Sequence, residues 1–231
     1  MRTRVTLSMS WIAGVALFVA GIAFLHGVAT SNDADTAIQI TRLADHQLWS
    51  FVYVAAVYVC YVLFIPVVVV LTILLYAARP ICSVSAGSLF CLGGAIEMAA
   101  TLASLSRWVF AIPQGARGDA AAIGLFRTLT LQFLILDFSG VALVYAAAVL
   151  YAVLLWGIHR PTSYVLLLST VLLLVGIPVT AVTSHLGMVL SMLSILVYAG
   201  ACVCLGHVVQ ILDSRTKEGQ RPFPAGQTSG T

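Results

Sequence analysis

Six long, predominantly apolar stretches decide what this chain can fold into. They cover residues 9–29, 49–77, 81–109, 129–158, 164–182 and 185–212. A bilayer hydrocarbon core needs roughly 20 consecutive apolar residues in helical form. In lipid every backbone amide must be bonded internally, which leaves helices or closed barrels as the options. Barrel strands are short and alternate apolar with polar residues, whereas these runs are apolar on all faces. The expectation is an all-α, polytopic transmembrane helical bundle of six spans in one domain, residues 1–212, followed by a disordered tail, residues 213–231. The composition agrees: 61% of the residues are hydrophobic and 8% are charged. Soluble domains are about 45–50% apolar and about a quarter charged, and disordered chains combine low hydrophobicity with high charge.

The few charges read as a topology signal. With the N-terminus inside, Arg2, Arg4, Arg79, Arg160, Arg215, Lys217 and Arg221 fall on the inner side, and Arg42, Arg107, Arg117 and Arg127 outside. Basic residues near helix ends favour the cytoplasm, so both termini are expected there. The basic excess suits anionic lipid and is too sparse for nucleic acid. The first span has a basic start and small residues at Gly27 and Ala29, as a signal peptide does. Its apolar run is longer than a usual signal core, so it is read as a retained span. Cys60, Cys82, Cys91, Cys202 and Cys204 all lie in or beside spans, which gives no disulfide framework.

Short connections at 78–80, 159–163 and around Thr183 and Ser184 make antiparallel neighbours of spans two and three, four and five, and five and six. Two outer segments are longer. In residues 30–48, Ile38, Ile40 and Leu43 suit a short amphipathic helix on the bundle mouth or the lipid surface, capped by Asn32 or Asp33. In residues 110–128, Pro113, Gly115 and Gly118 read as turns. Pro66 and Pro178 are expected to kink their helices. Trp11, Trp49, Trp108 and Trp156 fall near helix ends and suit an interfacial aromatic belt. On span three every fourth residue is small: Ser83, Gly87, Cys91, Ala95, Ala99 and Ala103. Small faces let membrane helices pack closely, so this stripe is expected at a helix interface.

Two acids lie inside the spans, Glu97 and Asp137. A carboxylate in hydrocarbon is costly and is a functional hint by default. Glu97 precedes Arg107 by ten residues and Asp137 follows Arg127 by ten, so both lie about 12–15 Å inside those arginines. At one depth on two helices they can face each other, and like charges in a dry site resist double ionisation. Such a pair suits a proton relay or cation site, with Thr101, Gln132 and Ser139 as polar neighbours. The structural alternative has each acid protonated and bonded, fastening the bundle. Of the histidines, His26, His46 and His185 fall on the outer side, a weak candidate metal set; His159 and His207 fall inside. No HxxxH, HExxH or CxxCH spacing supports a metal or haem. No lysine sits in a span, which excludes a retinal Schiff base, and no Walker or nucleophile-elbow motif occurs.

The opening RTRVTLSMSWIAGVALFVAGIAF, the third-span GSLFCLGGAIEMAATLAS and the fourth-span LFRTLTLQFLILDFSGVALVYAAAVLYAVLLWGIHRP together resemble a family of uncharacterised six-span bacterial integral membrane proteins. The resemblance covers most of residues 10–210 and implies six spans, an acidic residue near the start of the fourth, and a bacterial cytoplasmic membrane. It supplies no activity. In the family a histidine often follows that acid; Phe138, Ser139 and Gly140 follow it here, a departure that weakens the idea of an acid–histidine pair.

Three functions compete on these grounds. The foremost is a non-catalytic membrane component or accessory protein, with a protein partner or as a homo-oligomer. The second is a small proton- or cation-coupled transporter using Glu97 and Asp137. The third is an intramembrane haem or metal protein. No enzymatic activity and no cofactor are expected.

Overall fold

The computed structural model describes residues 2–27, 35–182 and 184–217. Those residues form an all-α bundle, with no strand among them. Helix α1 spans Arg2–Gly27, α2 Thr36–Asp45, α3 Gln47–Tyr76 and α4 Pro80–Ser106. A π-helical turn, Arg107–Ala111, and the short α5, Ile112–Gly115, extend α4. Helices α6, Ala120–Leu155, α7, Arg160–Val182, and α8, Ser184–Lys217, complete the chain. Six segments are long and apolar enough to cross a membrane, so this is a multi-pass membrane protein. Asn32, Asp33 and the tail beyond Lys217 lie outside the described residues.

Sequence chemistry places the helix starts. Pro80 opens α4, where its missing N–H has no intrahelical partner to lose. Asp119 caps α6 by accepting from Ala121 N at 2.9 Å and Ala122 N at 3.4 Å. Asp35 caps α2 through Ala37 N at 2.8 Å. Helix assignment is unbroken through Pro66 and Pro178.

The spanning helices close into a ring in the order α1, α3, α4, α6, α7, α8 and back to α1, with α3 also touching α8 across the middle. The three predicted hairpin pairs are present. Of the remaining pairs, α1 against α3 and α4 against α6 join consecutive spans, and α1 against α8 joins the first span to the last. Phe64, Leu71, Phe90, Ala147, Tyr151, Leu166, Cys202 and Leu205 fill the core. Along α1, Ala13, Ala20 and Ala23 are buried, and Ser10 Oγ donates to the Cys202 carbonyl of α8. The first span is thus an integral wall of the bundle. At one end, Ile40 and Leu43 of α2 pack on Trp108, Ala111, Ile112 and Phe126, while Ile38 is exposed.

Several sequence expectations change. The 110–128 loop shrinks to residues 116–119, because the helix runs on to Gly115; only there does the chain turn, with Gly118 at φ +85°. Residues 213–217 belong to α8, where Lys217 pairs with Asp213 one turn away. Trp108 is buried, while Trp11, Trp49 and Trp156 face outward. Ser83 and Gly87 are buried, Cys91 and Ala103 are half-buried, and Ala95 and Ala99 are exposed. The stripe fails because a step of four residues advances 400°, drifting about 40° each time and about 160° by Ala99. The buried face of α4 follows mixed steps of three and four: Ser83, Gly87, Phe90, Gly94, Glu97, Thr101 and Ser104.

Candidate functional site

Glu97 and Asp137 occupy equivalent heights. The candidate spans Pro80–Gly115 and Ala120–Leu155 each have 36 residues, and each acid is the eighteenth of its span. Both therefore sit midway along the membrane-crossing length. This is deeper than reckoning from Arg107 suggested, because the span continues past Arg107.

Glycines bring the two helices together at that height. A Cβ on Gly93 would lie 2.8 Å from the carbonyl oxygen of Gly140, and one on Gly140 would lie 2.5 Å from Glu97 Oε1. Glu97 thus reaches across to the backbone of α6, one turn from Asp137, and its carboxyl lies against the amide of Val141. The two carboxyl groups interact electrostatically. Glu97 is 5% exposed, and its Oε1 has no hydrogen-bond partner among the described residues. Asp137 is half-buried. The polar residues expected to serve the acids do not: Thr101 donates to the Glu97 carbonyl at 2.7 Å and Ser139 to the Ile135 carbonyl at 2.7 Å, each along its own helix, and Gln132 is exposed.

Arg107, counted from the sequence among the outer-side charges, is buried within the bundle. Its side chain is 8% exposed. Nη1 donates to Thr130 Oγ1 at 3.3 Å and Nη2 to Ser104 Oγ at 3.2 Å. The guanidinium carbon lies 5.1 Å from the Phe133 ring centre, 5.6 Å from Phe126 and 6.0 Å from Trp108, distances at which ring faces attract a cation. Its Nε has no partner among the described residues, and its charge acts on Asp137. The π-helical turn starts at this residue; such bulges commonly accompany functional positions.

Three tyrosines, Tyr53 and Tyr61 of α3 and Tyr145 of α6, interact electrostatically with these acids. Tyr53 lies within electrostatic reach of Asp137, Glu97 and Arg107, and Tyr61 and Tyr145 within reach of Glu97. The Tyr61 ring packs on α4 at Gly94, where a Cβ would come within 3.0 Å of it. Tyr145 stacks on Tyr198 with ring centres 5.2 Å apart. Its hydroxyl donates to Ser194 Oγ at 2.7 Å, and Ser194 donates in turn to the Ser169 carbonyl at 2.7 Å. In the sequence the tyrosines are hidden among apolar residues that merely pack.

Of the outer histidines, the structure describes the side chains of His26 and His46. His26 stacks on Trp49, ring centres 5.1 Å apart, and His46 sits at the junction of α2 and α3. The side chain of His185 lies outside the described residues. Among the described residues no group of three or more His, Cys, Asp or Glu side chains is placed to hold a metal ion.

No protein-family model, no curated protein and no solved structure matches this chain.

Proposed function

We propose that this protein is a small proton- or cation-coupled transporter whose translocation site is the Glu97–Asp137 pair, with Arg107 as its fixed countercharge. The carrying observation is Glu97 Oε1, buried halfway along its span with no hydrogen-bond partner among the described residues. More than nine in ten buried polar groups are bonded. An acid kept only to fasten helices would have both oxygens bonded, and in hydrocarbon that bonding is what offsets its cost. An acid that takes up and releases a proton or cation needs a free oxygen. This favours transport over the accessory role.

The membrane is a bacterial cytoplasmic membrane with both termini in the cytoplasm. The burial of Arg107 supports that orientation, since it leaves Arg42, Arg117 and Arg127 against the seven basic residues of the other side.

The test is proton movement in liposomes carrying the purified protein, driven by gradients of sodium, potassium or tetraethylammonium. Glu97→Gln and Asp137→Asn are each expected to abolish cation-dependent proton flux while leaving the folded protein intact in detergent. Wild-type flux from both variants, with only the melting temperature changed, returns the acids to a structural role.

A further inference from the structure

We propose that the hydrogen-bonded chain Tyr145–Ser194–Ser169 is a gate: closed in this structure, it shuts the Glu97–Asp137 site off from the end of the bundle at which α1 begins, and the site faces the opposite end, where α2 lies. This rests on the transport reading above. Three observations lead there.

The first is where the core sits. Close contacts fix the relative heights of the helices. Gly94 of α4 meets Tyr61 and Ile65 of α3, Gly87 meets Thr72, and Gly93 meets Gly140 and Val144 of α6. Tyr145 meets Ser194 and Tyr198 of α8, and Gly14 of α1 meets Ala199 and Val203. Glu97 stands at the height of Gly140. Beyond that height, toward the start of α1, every spanning helix feeds one core: Ala13, Leu71, Phe90, Leu155, Leu166 and Leu205 all belong to it. A core packed to crystal-like density leaves no path for water.

The second is the other side of the acids, toward α2. Residues 127–139 of α6 include none that is buried, and Asp137 is among them, half-buried. Between Thr170 and Ser194 the buried residues among those described are Gly176 and Gly187. These pack within the α7–α8 hairpin itself: a Cβ on Gly176 would lie 2.9 Å from Ser191 Oγ and 3.3 Å from the Gly187 carbonyl oxygen. Among the described residues no buried layer therefore seals α6 to α7 and α8 on this side.

The third is the join between the two regions. The Tyr145 hydroxyl donates to Ser194 Oγ at 2.7 Å, and Ser194 donates to the Ser169 carbonyl at 2.7 Å. This ties α6 to α8 and α8 to α7 at the height where the continuous burial of α7 stops and that of α8 starts. Ser169 and Ser194 are fully buried. Transporters expose a fixed site to one side at a time, largely by rocking one group of helices against another. Here the α7–α8 hairpin, packed on itself at its α2 end, is the group that rocks, and the Tyr145 hydroxyl is the bond that holds it.

Two native cysteines report on the gate. Cys202 lies one turn beyond Tyr198 and Cys60 faces the same core; both are buried. The thiolate is the reactive form, so alkylation of either needs water. The full-length protein in phospholipid nanodiscs is treated with N-ethylmaleimide, and the labelling rate of each cysteine is read by peptide mass spectrometry. In the wild type Cys60 and Cys202 are expected to react far more slowly than the exposed Cys82. Tyr145→Phe, which keeps the ring, and Ser194→Ala are each expected to speed Cys202 labelling about threefold or more, and either decides the matter if the other does not fold. Tyr151→Phe removes a bond of the same 2.7 Å length, to Thr72 of α3, and should leave the Cys202 rate unchanged. An unchanged rate in both gate variants overturns the proposal, as does an equal rise in all three, which is general loosening. Cation-dependent proton flux lost in Glu97→Gln, with Cys202 equally protected in wild type and gate variants, refutes the gate and leaves the transport reading standing. Faster Cys202 labelling confined to the gate variants, without flux under any cation gradient, keeps the opening motion and removes the transport reading.

Discussion

Glu97 Oε1 lies so close to Gly140 that a Cβ on that glycine would stand 2.5 Å from it and 3.0 Å from Glu97 Cγ. The α4–α6 contact and the candidate site are therefore one structure. Backbone contact at Gly93 and Gly140 sets the helix separation, and that separation carries the carboxyl of one helix to the level of Asp137 on the other.

Gly140→Ala should disturb the site before it unfolds the protein. The methyl meets the flexible Glu97 side chain, which can swing aside, and the Gly93 carbonyl oxygen at 3.0 Å, which must give by a few tenths of an ångström; overpacking of this kind costs about 1–3 kcal/mol. The expected result is a modestly lowered melting temperature in detergent with a large loss of cation-dependent flux. Unchanged flux would mean that the position of Glu97 against α6 does not matter.

Gly93→Ala should be more damaging to stability than Gly140→Ala. Its methyl would lie 2.8 Å from the Gly140 carbonyl oxygen and 2.9 Å from Val144 Cγ2, and backbone cannot rotate away. Gly200, whose added Cβ would meet nothing within 4 Å, supplies the control: Gly200→Ala should melt at or slightly above the wild-type temperature. Equal melting temperatures for all three variants would contradict the packing described for α4 and α6.

Arg107 is held by aromatic faces as well as by Thr130 and Ser104, so charge alone should not replace it. Arg107→Ala should lower stability by about 2 kcal/mol. Arg107→Lys should recover part of this, because the ammonium keeps the charge and loses the planar fork that reaches two hydroxyls. Denaturant titration in detergent measures both, and full recovery by lysine would remove the case for the planar group.

Because Ser194 donates to the Ser169 carbonyl, the Tyr145 hydroxyl is the donor to Ser194. A double-mutant cycle of Tyr145→Phe and Ser194→Ala should give a coupling of about 0.6 kcal/mol, with about 1.7 kcal/mol as an upper bound for such membrane hydrogen bonds. A coupling of zero would show that the two groups act independently.

On the far side of the ring, a Cβ on Gly14 would lie 2.7 Å from Val203 Cγ2 and 2.9 Å from the Ala199 carbonyl oxygen. Gly14→Val should therefore push α1 off α8 and lower the melting temperature, and it should leave cation-dependent flux unchanged in the folded fraction. Loss of flux without loss of stability would tie α1 to the site.

The sequence by itself determined the spans, the three hairpin pairs and the two acids at one depth, because these depend on quantities that run along the chain: apolar length, loop length and residue spacing. Hydrocarbon thickness converts the first directly into a helix count. Tertiary structure decided the rest. Arg107 looked like a boundary charge because it stands near the end of an apolar run; only the contacts with α2, and the rings of Phe126 and Phe133 from α6, show that the helix continues and encloses it. The small-residue stripe looked like an interface because helical drift is invisible in a list of spacings. The tyrosines carried no signal, since an aromatic residue in a span packs in most settings. Whether a buried polar atom has a partner depends on how closely neighbouring helices approach and at which residues, and the approach of α4 to α6 at Gly93 and Gly140 cannot be read from loop lengths. That contact leaves Glu97 Oε1 without a hydrogen-bond partner among the described residues, and the functional reading rests on it.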